Sequence, residues 1–336
     1  MTCSMALPNP RVLVTPRSLT QAGLDAVPEL EPLRLAGFEL VAGPAGRLPS
    51  EGELLELVPG CVGWLAGVEK IGAEVLAAAT ELRVISRNGT GTDAVDLAAA
   101  RRAGVRVERA VGANARGVAE LAVALALTGL RELPRSAAAV RAGDWRRWPG
   151  RELADCVVGV VGLGAVGSLA AELFAALGAE VLGHDPFVAS VPGSAVRAVE
   201  LDELLAASNV VTLHAPAAED GHPLLDADGL AALPAGAVLV NTARASLVDD
   251  DAVLAALESG ALAWYAVDAF DTEPPQLTDL LRHERVFATP HLGGYTGASV
   301  RRTTTQAVRN LLTVLDTECA QAPGQTPGQN PGQAHD

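Results

Sequence analysis

The chain has a single lysine, Lys70, and only four cysteines, Cys3, Cys61, Cys156 and Cys319, with no Cys-x-x-Cys pair. That spacing indicates neither a zinc site nor a disulfide framework, so no metal is expected and a reducing cytoplasm suits the chain. No window reaches the ~18 uninterrupted apolar residues of a membrane span. The N-terminal stretch MTCSMALPNPRVLVTP also lacks a basic region followed by a long apolar core, so nothing is expected to target or anchor it. Positive charge is scarce: 25 Lys and Arg stand against 40 Asp and Glu, a net charge of -15. An acidic surface repels nucleic acid and anionic membrane, which leaves a small molecule as the expected partner.

What is present is apolar. Hydrophobic residues make up 49% of the 336 positions, enough for a sizeable core and about two domains. From Arg11 onward, short runs (RVLV, FELVA, CVGWLA, LRVIS, VRVER) alternate with the helical segments LTQAGLDAV, EGELLELV, IGAEVLAAA and AVDLAAARRAG. A long apolar segment, ANARGVAELAVALALTGLRELP, then runs from Ala113 to Pro134, where proline is expected to end it; it reads as a bridge between domains. The alternation resumes as VVGVVG, EVLGH, NVVTL, AVLVN, LAWYAV and RVFAT, with helical stretches such as DDDAVLAALESG. Strands alternating with helices imply parallel sheets built from βαβ units, hence an α/β fold in two units. GASVRRTTTQAVRNLLTVL has helical spacing, and the tail over 321–336 repeats Pro-Gly-Gln and reads as disordered.

The segment VVGVVGLGAVGSLAAELFAALGAEVLGHDP carries Gly162, Gly164 and Gly167 in G-x-G-x-x-G spacing. Alone, that pattern is also met in glycine-rich turns that hold no nucleotide. Here it follows a strand, opens a helix, and precedes Asp185 by 23 residues counted from Gly162, close to the ~20 of a dinucleotide fold. The first glycine permits the turn, the second lets backbone approach a pyrophosphate, and the third packs helix on strand. The helix N-terminus offers free N–H groups to the phosphates. Asp185 would take the ribose hydroxyls and repel a 2′-phosphate, so NAD is expected over NADP. Three later strand ends carry Arg244 (VLVNTARAS), Glu273 (AVDAFDTEPP) and His291 (FATPHLGG), where an open α/β sheet puts its ligands.

In that order, RNGTGTDAVD, NARGVAE, VGLGAVG, HDP, NTARASLVDDDAV, DAFDTEPP and TPHLGG resemble a D-specific 2-hydroxyacid dehydrogenase of the phosphoglycerate dehydrogenase type, over roughly residues 10 to 320. The resemblance implies a flavodoxin-like substrate domain over 1–112 and 296–320 and a Rossmann NAD-binding domain over 113–295, enclosing a cleft. It implies that Arg244, Glu273 and His291 bind substrate and move the proton. Residue chemistry supports each role: guanidinium grips a carboxylate bidentately, imidazole titrates near neutrality, and a glutamate on its other nitrogen orients the ring. Outside such a context, the same residues read as a surface ion-pair partner, a solvated loop acid and a strand cap.

By the same resemblance, Thr90, Ala165, Val166, Ala215, Thr242, Ala243, Asp268, Gly293 and Gly294 join Gly162, Gly164, Gly167 and Asp185 around NAD. The loop of Asn88, Gly89 and Gly91, with Ala66 and Gly67, would hold the substrate. His184, His222, His283 and His335 read as structural or exposed, and His214 in TLHAP as lining the cofactor cleft. A homodimer is expected.

The chain departs from the phosphoglycerate pattern at Ala66, where an arginine would meet a substrate phosphate, and carries Glu69 nearby. Arg146 and Arg147 in GDWRRW could supply anion recognition across a dimer or be solvated. No length remains for a C-terminal regulatory domain, so serine control is not expected. Hydroxypyruvate, glyoxylate and a phospho- or phosphonopyruvate are the candidate oxo acids. The alternatives are a non-enzymatic NADH-sensing protein and a formate- or phosphite-type dehydrogenase on the same cofactor site.

Overall fold

The computed structural model describes residues 9–188, 196–218 and 220–319. The chain divides into two compact units, one of residues 1–111 with 301–336 and one of 112–300. The Pro-Gly-Gln tail lies outside the described residues, as does His335.

The first unit holds one parallel sheet of β1 (Arg11–Val14), β2 (Glu39–Ala42), β3 (Cys61–Ala66), β4 (Val84–Arg87) and β5 (Arg106–Arg109), in the order β2-β1-β3-β4-β5. That is the flavodoxin-like strand order. All six residues of β3 are buried, which is why CVGWLA is an unbroken apolar run: a central parallel strand is covered on both faces. The helix Glu51–Leu57 begins with a capping box between Ser50 and Glu53, two orphan donors satisfied reciprocally. The segment LTQAGLDAV, expected to be helical, is instead a short turn of helix at Arg17–Thr20 and a 3-10 turn at Leu24–Ala26. Gly23, at φ +84°, takes a left-handed conformation between them that no helix continues through.

The second unit holds a seven-stranded parallel sheet of β6 (Val157–Val161), β7 (Glu180–His184), β8 (Arg197–Ala198), β9 (Val210–Leu213), β10 (Ala237–Asn241), β11 (Leu262–Val267) and β12 (Val286–Ala288). Its order, β12-β11-β10-β9-β6-β7-β8, reverses beside β6, which gives the doubly wound Rossmann arrangement. The two-residue β8 is too short to leave a sequence pattern.

The long helix spans Ala115–Leu130 and packs within the second unit, against β10, β11 and the helix Ala165–Ala176, rather than serving as a bridge. Pro134 does not end it. The helix stops at Leu130, Glu132 turns to φ 52°, and Pro134 sits in the first turn of a new helix, Leu133–Arg141. Proline is tolerated there because a first-turn N–H has no intrahelical acceptor.

Cys61 and Cys156 are buried free thiols, and burial pushes both thiol pKa values up, which makes them poor nucleophiles. Among the described residues no helix is long and apolar enough to cross a membrane. Nor, among the described residues, does any group of three or more His, Cys, Asp or Glu stand where it could hold a metal ion.

Candidate active site

The polar residues of interest in the second unit all follow the carboxyl ends of strands in one parallel sheet: Gly162–Gly167 after β6, Asp185 after β7, His214 and Ala215 after β9, Thr242–Arg244 after β10, Asp268 and Glu273 after β11, and His291–Gly294 after β12. Parallel strands put every carboxyl end on one edge, so residues more than 120 positions apart share it.

The glycine turn after β6 is built as dinucleotide chemistry requires. Gly162 has φ +89°, and a Cβ there would lie 2.7 Å from the backbone of His214. A Cβ on Gly167 would stand 1.7 Å from the Gly162 carbonyl oxygen. Gly164, by contrast, faces open space, with nothing within 4 Å of such a Cβ. The helix Ala165–Ala176 starts beside it with no side-chain cap, so its first N–H groups and the dipole end are available to an anion. Asp185 closes the turn: its carboxylate accepts the N–H of Leu163 at 2.8 Å and of Phe187 at 2.8 Å.

Two polar atoms on this edge are buried without a partner, Oγ1 of Thr242 and Nδ1 of His214. Buried polar groups are nearly always satisfied, and a nucleotide's phosphates and hydroxyls are groups that would satisfy them. Together with the glycine cradle, these atoms make the residues present a fit for NAD. Burial pushes the His214 imidazole down to about 4, so the ring is neutral near pH 7, and its Nε2 meets the Thr212 hydroxyl at 3.0 Å. His184 and His283 make local backbone contacts, and His222 is exposed.

Arg244 is partly buried and donates from Nη1 to the Ala243 carbonyl at 2.8 Å. Its backbone is held by Asn241, whose Nδ2 donates to the Arg244 carbonyl at 2.8 Å while its Oδ1 accepts the Ala243 N–H at 3.1 Å. Sequence reasoning missed Asn241; its signal is a lone asparagine at the end of an apolar strand, where the side chain bonds its own backbone two residues on.

Glu273 contacts His291 directly, Oε1 to Nδ1, with the ring half exposed and the carboxylate about three-quarters buried. That leaves Nε2 as the ring nitrogen for a reactant. His291 itself sits at φ 53°, a left-handed conformation uncommon for a side-chain-bearing residue. The loop is held in it by Asp268, which is 2% exposed and accepts the Thr289 hydroxyl at 2.6 Å, the Leu292 N–H at 2.7 Å and the Gly293 N–H at 2.8 Å. The two glycines therefore answer to protein neighbours: a Cβ on Gly293 would lie 3.1 Å from Asp268, and one on Gly294 2.9 Å from the Asn114 amide.

The remaining sequence-derived residues, Ala66, Gly67, Asn88, Gly89, Thr90 and Gly91, belong to the first unit, after β3 and β4. The Asn88 N–H bonds the Ala66 carbonyl at 2.8 Å, and Arg87 reaches the Gly91 carbonyl at 2.9 Å, which shapes the loop. Arg146 is exposed, pairs with Asp144 at 2.5 Å and lies 5.7 Å from the Trp148 ring, while Arg147 is exposed.

The sequence model of the D-isomer specific 2-hydroxyacid dehydrogenase NAD-binding domain matches residues 123–293. The D-3-phosphoglycerate dehydrogenase of Mycobacterium tuberculosis is 36% identical over 275 residues, 80% of this chain and 52% of the relative. The chain thus spans about half the length of the curated relatives it matches. Among solved structures, the TT0316 protein of Thermus thermophilus superposes with a TM-score of 0.80 at 35% identity, covering 91% of this chain and 97% of the other. A glyoxylate reductase from Paecilomyes thermophila gives 0.80 at 25% identity, covering 93% and 97%.

Proposed function

Since the chain belongs to the D-isomer specific 2-hydroxyacid dehydrogenase family, we propose that it is an NAD-dependent oxidoreductase interconverting a small D-2-hydroxy acid and its 2-oxo acid. The observation that carries this reading is the Glu273–His291 contact on the strand edge that also bears Arg244 and the glycine turn.

NAD, when bound, supplies the hydride chemistry at the substrate's C2. The chain's own residues supply the rest. Gly162, Gly164 and Gly167, with Ala165, Val166 and the N-terminus of their helix, hold the pyrophosphate, and Asp185 takes the ribose hydroxyls. Ala215, Thr242, Ala243, Asp268, Gly293 and Gly294 complete the second unit's cofactor contacts. Arg244 binds the substrate carboxylate, a task for which its planar fork and permanent charge suit it, and Asn241 keeps that residue's backbone in place. In the first unit, Asn88, Gly89 and Gly91 lie in the loop after β4, while Ala66 ends β3 and Gly67 follows it.

Glu273 occupies Nδ1 of His291, so the ring exchanges its proton at Nε2: it donates to the carbonyl oxygen in reduction and accepts from the hydroxyl in oxidation. The helix Leu133–Arg141 has no buried residue, and Leu133, Val140 and Trp145 are 52%, 56% and 82% exposed. This apolar surface supports a homodimer, and buried free thiols suit a reducing compartment.

The deciding experiment follows NADH oxidation over hydroxypyruvate, glyoxylate and phosphorylated or phosphonate-bearing 2-oxo acids, and NAD reduction with formate and phosphite. Wild type is expected to reduce a 2-oxo acid, and His291→Ala to lower kcat by roughly 10²–10⁴ while NADH still binds. NADH binding without any turnover would favour a sensor, and oxidation of formate or phosphite would move the chemistry to those anions.

A further inference from the structure

Within the second unit, a cavity of about 290 Å³ lies beside the loop that carries Glu273. One wall is β11, through Tyr265 and Val267. A second is Asp250, at the start of the helix Asp250–Ser259, and a third is Leu281, in the helix Asp279–Arg282. Loop residues on both sides of Glu273 complete it, although Glu273 itself does not line it. Nor does any residue assigned above to NAD or to the substrate, so the cavity is separate from the reaction site. Its volume is near the lower bound of about 300 Å³ for small-molecule sites, which sets the size of an occupant.

The lining combines aliphatic side chains and two aromatic rings, Tyr265 and Phe270, with two carboxylates, Asp250 and Asp271, and includes no lysine, arginine or histidine. Helix capping does not account for these acids. Asp249 is the cap, accepting the Asp251 and Ala252 N–H groups, whereas neither Asp250 nor Asp271 has an ion pair among the described residues. Partial burial, and then Asp271, Asp249 and Asp251, push the Asp250 carboxyl above its usual range, as like charge gathered without a cation must. Tyr265 is 2% exposed, and burial holds it as a neutral phenol. Its hydroxyl bonds the side chain of Asn241, the same amide that grips the Arg244 backbone.

We infer that this cavity is a second small-molecule site, for an organic cation with an apolar body: a primary ammonium carried on an aromatic or cyclic group. The ammonium offsets the repulsion between the two carboxylates and is attracted to the aromatic rings, while the body covers apolar wall that water now touches. A neutral ligand of the same shape lacks the first gain, and an anion is repelled. Two walls continue into the reaction residues, since Ala245, which lines the cavity, follows Arg244, and Thr272 and Pro275 bracket Glu273. An occupant therefore bears on both segments and alters turnover. That last consequence rests on the dehydrogenase reading above; the binding does not.

The test is calorimetric titration of the full chain with benzylammonium and with two ligands of the same body, neutral benzyl alcohol and anionic benzoate. Wild type is expected to bind benzylammonium about tenfold more tightly than benzyl alcohol, and benzoate most weakly. The double variant Asp250→Asn/Asp271→Asn should bring the first two within about threefold of each other. No binding of benzylammonium, equal affinity for all three, or a preference that the double variant keeps overturns the inference. Should that variant fail to fold, hydrogen exchange on wild type decides: protection of the segment 265–281 by benzylammonium upholds the site, and protection elsewhere alone, or none, overturns it. NADH oxidation with a 2-oxo acid, with and without saturating benzylammonium, reads the coupling, and kcat/KM is expected to change by about fivefold. An unchanged kcat/KM strikes the coupling and leaves the site. If no oxo acid is reduced, the dehydrogenase reading falls and the coupling with it, while the titrations judge the site by themselves.

Discussion

Glu273 and His291 approach from neighbouring strand ends: the glutamate follows β11, the histidine follows β12, and the carboxylate meets Nδ1 of the ring. The contact occupies one ring nitrogen, and the proposed proton transfer uses the other. Removing the carboxylate charge while keeping its shape separates these duties. Glu273→Gln is expected to lower kcat about 10- to 100-fold with little change in NADH affinity, an effect within the range of a misplaced general acid–base group. Stopped-flow hydride transfer beside an NADH titration measures both.

The hold of Asp268 on the histidine loop should be equally visible. Asp268→Asn puts an amide NH₂ where one carboxylate oxygen now accepts from the backbone. At least one donor among Thr289, Leu292 and Gly293 then goes unpaired. A loss of about 1–3 kcal/mol in unfolding free energy is expected, with kcat falling more than tenfold. Unchanged kcat in a folded variant would refute the positioning role.

The two glycines of the turn should fail in different ways. Gly167→Ala puts a methyl group 1.7 Å from the Gly162 carbonyl, so the turn must break, and a melting scan should show a loss of several kcal/mol, about 3 or more. Gly164→Ala meets nothing within 4 Å and should melt like wild type, yet bind NADH at least tenfold more weakly, because its methyl group enters the space left for the pyrophosphate. Calorimetric titration separates the two cases.

Cofactor choice should turn on Asp185. Its carboxylate is held by the Leu163 and Phe187 N–H groups, fixed where a 2′-phosphate would be repelled. Wild type is expected to use NADH at least 100-fold better than NADPH, and Asp185→Ser to narrow the gap at least tenfold. Comparable kcat/KM with both cofactors in wild type would refute it.

Stability should depend on pH through His214. Burial lowers its pKa from 6.5 to about 4, so between those values the unfolded chain binds a proton that the folded ring does not. The stabilisation is complete above about pH 6.5 and is lost as pH falls towards 4, by at most about 3 kcal/mol. His214→Gln has no titrating ring and should flatten that slope in urea unfolding at pH 7, 5.5 and 4.5.

Much of this was legible without coordinates. The strand runs were found because a parallel strand covered on both faces must be apolar throughout, as CVGWLA is in β3, where all six residues are buried. The glycine turn was found because its spacing is local, with Gly162, Gly164 and Gly167 set between the end of β6 and the first turn of the next helix. Errors fell where local signals compete. Pro134 reads as a helix end, yet it opens the next helix, and LTQAGLDAV has helical composition interrupted by the φ that Gly23 alone supplies.

The sequence by itself determined the two alternating α/β units and placed the glycine turn, Arg244, Glu273 and His291 after strands, since periodicity and short motifs are written within a helical turn or a strand. Only the tertiary structure decided what holds them: Asp268 gathering three donors from the histidine loop, Asn241 gripping the Arg244 backbone, and Glu69 buried with one oxygen unanswered. Asp268 and Gly293 are 25 positions apart, and Glu69 and Thr15 are 54. Such pairs depend on which strands lie side by side and in what register, and no local pattern of residues records that.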